Sequence, residues 1–573
     1  MSSKTAPFNL AQSFNEAVSL QRQGRLREAE KIYTRVLKVA PDHFDALNLL
    51  GTVKAQLGRM GEAHRLFSAT VRIDPRAAGA WANLGQVLLA LKRNGEALEC
   101  LDKARALDGN DAGILYQHAN ALLSAGRAQE ALAEFGAVLA RVPRHAEARL
   151  NCGIAHASLG HHDEAVAEFD AALAMMPGHP VVHYNRGLAL HELGRYAAAL
   201  DAHDRALAAT PGHAGAWLHR GRALAALNRH DVALASYNKA RAAGKDDPDV
   251  HFSEAMALLT LGDYRAGFAK YEARWQRTGM PAQKSRGRPL WLGEYPLAHK
   301  TVLLHAEQGL GDTIQFARYV PLLAATGAKI VLEVPSELTA LLARLDGGVK
   351  IITRGETPPA YDVHCPLGSL PLALGTEPGS VPAQIPYLSA DEASLAKWSA
   401  RLEAIERPRI AIAWSGNPSH YNDRNRSVPF ARLESLFAAA GGARFISIQR
   451  DVRSEDAEKL AAETRLTHVG GELENFTDAA AVIALCDLLI CADTAVAHLA
   501  GAMGRPMWVL IPFVPDWRWT LAGETSPWYP TARLFRQSAI GDWEAVIARV
   551  TAELARFIAQ GGLGRPARCS PEG

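Results

Sequence analysis

Two short segments in the second half of the chain gather residue types that can receive a proton and hold an anion. In Gly309-Leu310-Gly311-Asp312-Thr313 the glycines let a bound group approach the backbone, and a carboxylate stands where a helix should begin. Asp312 there suits a general base; capping the helix is the other use of the same carboxylate. In ICADTAVAHLAGAMGRP an apolar run stops at Asp493, Thr494 can cap the next helix, and His498 follows one turn later. The amides near Thr494 and Ala495, the Thr494 hydroxyl and His498 would together suit a phosphate. The plainer alternative is that Asp493 and Thr494 only end a strand and cap a helix, with His498 satisfied locally.

Between these segments lies GNPSHYNDRNRSVP, a polar loop carrying Asn417, His420, Asn422, Asp423, Arg424, Asn425 and Arg426. Arg424 or Arg426 would neutralise a diphosphate, and Arg426 is the preferred residue. In FVPDWRWTLAGETSPWYP, Asp516, Trp517 and Trp519 suit contacts to a sugar or acceptor, as does Gly311. The tryptophans suit a core equally well. The QGLGD run is neither the longer dinucleotide fingerprint nor a Gly-Lys-Thr phosphate loop, so dinucleotide oxidation and nucleoside triphosphate hydrolysis lose support. No Asp-x-Asp pair stands in these loops, and arginine with a helix terminus supplies positive charge, so neither a metal nor a cofactor is expected.

The elements that must position these groups alternate between strand and helix. TVLLH, TIQFARYVPLLAATG and KIVLEV predict strand, helix and parallel strand; SELTALLARL and VKIIT continue the pattern, and 355–390 reads as loops with short elements. A second unit runs from RIAIAWSGNP through ARLESLFAAA and ARFISIQ to AVIALCDLLICADTAVAHLAGAMGRPMWVLIP. Two Rossmann-like α/β domains are expected, 301–405 and 406–560. Gly311, Asp312, Asn417, Gln449, Asp493 and Thr494 would lie at the carboxyl ends of their strands, lining one cleft.

The first half repeats. Pro7, Pro41, Pro75, Pro143, Pro177 and Pro211 recur every 34 residues, with Gly109 and Lys245 in the two remaining slots. Ten residues beyond each slot stands Gly or Ala, as Gly51, Gly85, Gly153 and Gly187, where two helices must come close. Gly24, Gly58, Gly126, Gly160, Gly194 and Gly262 mark the turns. An α superhelix of helix-pair repeats is expected over 7–278, then a linker, 279–300, and a flexible tail at 561–573. Asn48, Asn83, Asn151 and Asn185 recur at one phase, where they could bond an extended polypeptide in the superhelix groove; solvating that face is the alternative. His161, His162, His179 and His183 have no metal-binding spacing and read as surface residues.

The formal net charge of +2 draws no polyanion to the chain as a whole, so nucleic acid is not an expected partner. No apolar stretch reaches the length of a membrane span and the N-terminus has no signal core, so a cytoplasmic location without an integral membrane segment is the expectation. Cys100, Cys152, Cys365, Cys486, Cys491 and Cys569 lack paired spacing and read as reduced, mostly buried thiols.

The repeat, as in NLGQVLLALKRNGEALECLDKARALD, resembles the tetratricopeptide repeat. QGLGDTIQFARYVPLL, RSVP and CADTAVAHLAGAMGRP together resemble the bacterial heptosyltransferases over about 301–556. That family pairs two Rossmann-like domains in the GT-B arrangement and transfers a sugar from a nucleotide diphosphate sugar, which implies an acceptor side at 301–405 and a nucleotide-sugar-binding side at 406–560. The resemblance implies that Asp312 is the base, that Arg426 contacts phosphate, and that Asp493, Thr494 and His498 contact the donor. Ala495 replaces the usual glycine, and arginine stands where lysine is common. Repeats ahead of a GT-B module are similar in architecture to the protein O-linked N-acetylglucosamine transferases. The expected function is therefore that of an inverting, metal-independent glycosyltransferase acting on an acceptor, with protein glycosylation expected and the acceptor recruited by the repeats. The alternatives are a non-catalytic repeat scaffold and a nucleotide-sugar sensor.

Overall fold

The computed structural model describes residues 9–244, 247–277, 287–420, 422–439 and 441–560. Pro7, Lys245, Cys569, the expected tail and residues 279–286 of the expected linker lie outside the described residues. Packing divides the chain into two compact units, 1–223 and 224–573.

The first unit is a series of antiparallel helix pairs that begins with Leu10–Arg22 and Leu26–Val39. Its turn glycines adopt the left-handed conformation that side chains avoid, from Gly24 at φ 74° to Gly194 at φ 73°. Lys92 stands in a slot of that series without glycine and takes φ 60° nonetheless, so the packed pair imposes the turn where the residue does not favour it. Within a pair, the small residue of one helix receives a large residue of the next. A Cβ on Gly51 would stand 2.7 Å from the Phe67 ring, and on Gly153 2.5 Å from Phe169. At Gly187 the same position faces His203, a fully buried imidazole in an otherwise apolar series. His183 is buried rather than at the surface, with Nε2 sharing a hydrogen bond with the Pro177 carbonyl at 2.8 Å.

The second unit opens with the last three helices of the repeat series, His230–Ala243, Pro248–Leu261 and Tyr264–Tyr271. Their aromatic side chains Tyr264, Phe268 and Tyr271 are buried in one core with Trp291, Val302, Leu304, Trp517 and Trp528. By packing, the repeat series therefore does not end as a separate body at residue 278, because these aromatics bury their area against the strand-bearing part.

That part holds two parallel sheets. The first has order β3-β2-β1-β4, from β1 (Thr301–His305), β2 (Lys329–Val334), β3 (Lys350–Thr353) and β4 (Val363–Pro366). The second has order β10-β9-β8-β5-β6-β7, from β5 (Arg409–Ala413), β6 (Arg444–Ser447), β7 (Leu466–His468), β8 (Leu488–Ala492), β9 (Met507–Ile511) and β10 (Ala532–Arg536). Register is set with Val302 opposite Ile330 in the first sheet and Ile410 opposite Leu488 in the second. Every residue of β8 and β9 is buried, as a parallel sheet covered on both faces requires. The helix expected over TIQFARYVPLLAATG is broken into Leu310–Phe316, a 3-10 turn at Ala317–Tyr319, and Val320–Ala325. Pro321 accounts for the break, since its nitrogen has no proton to donate to the preceding turn. Among the described residues no helix is long and apolar enough to cross a membrane. Cys100, Cys152, Cys365, Cys486 and Cys491 are buried free thiols.

Candidate functional site

In the second sheet the chain leaves β5 toward β6 and β7, then returns to β8 on the other side of β5, so the carboxyl ends of β5 and β8 flank a crevice. Arg426 spans it. Its Nη1 donates to the Asp493 carbonyl at 3.0 Å, and its Nε reaches Asp423 Oδ1 at 3.3 Å. Asp423 is buried and also accepts from Ser427 Oγ at 3.1 Å and from Arg453. Gly416 leaves room for this, because a Cβ there would stand 2.5 Å from Arg426 Nη2. Asp423, Arg453 and Gly416 are thus part of the arginine's setting. Only their place in a polar loop, or in Arg453's case nothing local, pointed to them in the sequence.

Thr494, two residues beyond β8, is extended and precedes the helix Ala495–Ala502; its side chain makes no capping bond, so the hydroxyl is not spent on the helix. Asp493 is nearly enclosed, and loss of water, then Asp516, raise its carboxyl to about 6; the Trp519 indole N–H, Arg426 and Arg518 pull in the other direction. His498 is buried, shares a hydrogen bond with the Tyr529 hydroxyl at 2.9 Å through Nδ1, and stacks on Trp519. Burial, with Arg518, Arg318 and Arg426, holds its imidazole neutral, well below the usual histidine range. A neutral imidazole has one N–H to give rather than a full charge. His420 joins this group: loss of water and Arg426 lower its imidazole, against Asp516 and Asp312.

Across from these, Asp312 caps its helix and pairs with an arginine. Its Oδ2 accepts from the Gly309 N–H at 3.1 Å, the capping role, while Oδ1 accepts from Arg518 Nη2. Part of the side chain, 27%, remains open to solvent. Asp516 caps its own 3-10 turn and accepts from Arg518 Nη1 at 2.9 Å.

Five residues expected to contact a ligand are engaged with the protein's own groups. Gln449 Oε1 accepts from the Trp414 and Ser415 N–H groups at 3.0 and 3.1 Å, and its Nε2 donates to the Ser415 and Asp451 carbonyls. All the hydrogen-bonding capacity of that amide shapes the loop after β5. Gly311 packs closely against the helix Ala495–Ala502, where a Cβ would stand 2.7 Å from His498 Cδ2. Trp517 and Trp519 are core residues, 2% and 0% exposed. Trp517 meets Tyr264 and Phe268 edge-on at 5.9 and 5.5 Å. Asn417 is exposed and accepts from Ser419 N–H and Oγ at 2.9 and 2.8 Å in a local turn.

In the repeats, Asn83 Nδ2 donates to Asn48 Oδ1 at 3.1 Å, and Asn151 Nδ2 donates to Asn120 Oδ1 at 2.7 Å and to the Tyr116 hydroxyl at 3.2 Å. Asparagines thus link neighbouring repeats along a half-buried row. Asn185 instead donates to the Val181 carbonyl of its own helix at 2.8 Å. Among the described residues no group of three or more His, Cys, Asp or Glu side chains is placed to hold a metal ion.

The raised Asp493 carboxyl has a consequence for stability. The folded protein keeps this proton up to about pH 6, whereas the unfolded chain releases it near 3.8. The folded state therefore binds the extra proton in that window, and stability falls as pH rises through it. Asp493→Asn is expected to melt with the parent at pH 4 and to be more stable at pH 7.5, by up to about 3 kcal/mol. Thermal melts at both pH values check this; a variant less stable at pH 7.5 would contradict it.

The comparisons with known proteins follow this geometry. Tetratricopeptide repeat matches cover residues 14–75, 116–180, 159–214, 184–248 and 218–279, with a further one at 55–117. Glycosyltransferase family 9 (heptosyltransferase) matches residues 384–533, which include Arg426, Asp493, Thr494 and His498 and leave Asp312 outside. Protein FlbA of Caulobacter vibrioides is 28% identical over 335 residues, 54% of this chain and 55% of that protein, so the chain spans about half the length of this curated relative. Among solved structures, a tetratricopeptide repeat protein from Parabacteroides merdae is 17% identical over 44% of this chain and 98% of its own, with TM-score 0.36. TTC0263 of Thermus thermophilus, also a tetratricopeptide repeat protein, is 27% identical over 32% of this chain and 100% of its own, with TM-score 0.28. The chain thus carries a tetratricopeptide-repeat region joined to a heptosyltransferase-like domain with the two parallel sheets of a GT-B-like, two-lobed fold.

Proposed function

We propose that the protein is an inverting glycosyltransferase that moves a sugar from a nucleotide diphosphate sugar to a polypeptide recruited by the repeats. The observation that carries this reading is Arg426 laid across the carboxyl ends of β5 and β8, beside the first amides of the helix Ala495–Ala502. A diphosphate placed there meets a guanidinium, free helical N–H groups and the uncommitted Thr494 hydroxyl, and these stabilise the charge that develops as it departs. Asp312, on the first lobe, takes the acceptor proton; direct displacement inverts the anomeric centre. The positive charge comes from the protein, and no metal enters the scheme.

Calorimetry with UDP, GDP and ADP, followed by mass spectrometry of co-produced proteins for a sugar-sized increment, tests this reading. Absence of both binding and increment in folded protein rejects it. The double engagement of Asp312 with Gly309 and Arg518 also fits a nucleotide-sugar sensor; binding without any turnover selects that reading.

The asparagine row supports acceptor capture. Asn83 and Asn151 each spend donors on neighbours and keep carbonyl lone pairs for an extended backbone. Replacing Asn83, Asn151 and Asn185 together by alanine is expected to lower transfer to a long protein acceptor about tenfold or more, with nucleotide affinity unchanged. Equal transfer by parent and variant removes the groove from the scheme.

A further inference from the structure

The loop after β9 carries a buried cation that the scheme above leaves without a task. Arg518 Nη1 donates to Asp516 Oδ1 at 2.9 Å, Nη2 to Asp312 Oδ1, and Nε to Gln315 Oε1. Its guanidinium lies 4.3 Å from the centre of the Trp517 ring. Asp312 and Gln315 stand one turn apart on the helix Leu310–Phe316 of the first lobe, while Arg518 and Asp516 belong to the second. One planar fork therefore fixes the carboxylate and the helix that carries it from the opposite lobe.

The loop is itself held against its preference. Thr520 lies at φ 61°, ψ 171°, a region almost reserved for glycine. Arg536, at the end of β10, donates to the carbonyls of Trp519, Thr520, Ala522 and Gly523, which keeps the strained turn in place. Strain maintained this way beside a reacting group is a mark of preorganisation.

We propose that Arg518 is the positioning residue for the base, holding Asp312 in one orientation throughout turnover. The inference rests on the reading of Asp312 as the base. In that reaction the acceptor O–H bond breaks and its proton passes to Asp312. The acceptor oxygen bonds to the anomeric carbon, and the bond from that carbon to the phosphate oxygen breaks, its electron pair leaving with the nucleotide. Asp312 becomes neutral on taking the proton, and Arg518 loses one of its two counter-charges. Asp516 remains, so the fork stays in place while Asp312 cycles between its two forms. A lysine ammonium has three donors, but they radiate from one nitrogen and do not reproduce the planar fork that spans Asp312, Gln315 and Asp516.

The test compares full-length parent, Asp312→Asn, Arg518→Gln, Arg518→Lys, Asp516→Asn and the Asp312→Asn/Arg518→Gln double variant. Nucleotide release and transfer are followed with UDP-, GDP- and ADP-linked sugars, and binding with UDP, GDP and ADP. Arg518→Gln is expected to lower kcat about 100-fold with donor KM and nucleotide affinity within about threefold, and Arg518→Lys to recover about a tenth of the parent rate. The double variant should be no slower than Asp312→Asn, because both changes act on one proton transfer. Parent-like kcat in Arg518→Gln, or a double loss equal to the product of the two single losses, overturns the proposal while leaving the base reading intact. If Arg518→Gln does not fold, Asp516→Asn decides: a fall in kcat of about tenfold supports the proposal and an unchanged kcat overturns it. Parent-like turnover by Asp312→Asn, or a parent that turns over none of these sugars, overturns the base reading and the proposal with it.

Discussion

Asp312→Asn is expected to lower sugar transfer by about 10²–10⁴-fold, the range for removing a positioned general base. The substitution keeps size and shape and removes the group that takes the acceptor proton. Its single carbonyl oxygen cannot serve both Gly309 N–H and Arg518, so one local hydrogen bond is lost, at about 1 kcal/mol. That loss is small beside the stability of a domain, and Arg518 retains Asp516. Affinity for nucleoside diphosphate should stay near the parent's, because the carboxylate has no place among the groups assigned to phosphate. Kinetics with calorimetry on the same preparation separates the two quantities. A variant that turns over at the parent rate reduces Asp312 to a helix cap and an ion-pair partner.

The second large effect is on folding. A chain that begins at Leu290 is expected to be unfolded or insoluble, whereas one that begins at Leu224 keeps its cooperative melt. The shorter form loses Tyr264, Phe268 and Tyr271, all within the core shared with both sheets. Emptying one such aromatic site costs about 3–5 kcal/mol, so three of them exceed most of the roughly 5–15 kcal/mol available to a native protein. It also loses Arg274, whose Nη2 donates to Glu307 Oε1 at 3.1 Å and Ser369 Oγ at 2.7 Å. Burial already raises the Glu307 carboxyl to about 7, with Arg274 as the main opposing influence. Without that cation the carboxylate would be buried and unpaired, or protonated. Expression, gel filtration and circular dichroism melts of the two forms check this. A folded Leu290 form with a parent-like melt would show that the last repeat merely rests on the lobes.

Much of the candidate site was legible because its residues mark local events. Asp312 lies in the first turn of a helix after glycines, and Asp493 and Thr494 follow a buried strand, so the local pattern places each at the end of its element. Gln449, Gly311, Trp517 and Trp519 were misplaced for a common reason. An amide, a glycine and an indole serve a ligand or the protein's own backbone equally well, and the choice depends on neighbours far away in the chain. Gln449 finds the N–H groups of Trp414 and Ser415, and Gly311 finds His498. Arg453 carried no local signal and Arg518 showed only its neighbour Asp516, since Asp423 and Asp312 lie 30 and 206 residues away from them.

What the sequence determined by itself is periodic or local. The 34-residue spacing sets the helix pairs, because each turn and each close helix contact needs a small or left-handed residue at a fixed interval. Continuous apolar runs such as Leu488–Ala492 mark strands covered on both faces. Lys92 shows the limit even here, taking the turn conformation without the residue that favours it. Only the tertiary structure decided that the last helix pair belongs to the core of the second unit, that β4, β7 and β10 complete the sheets, and that Asp312 is gripped from the opposite lobe. Each of these is settled by long-range pairing, in which buried area and charge are matched between segments whose separation no local pattern encodes.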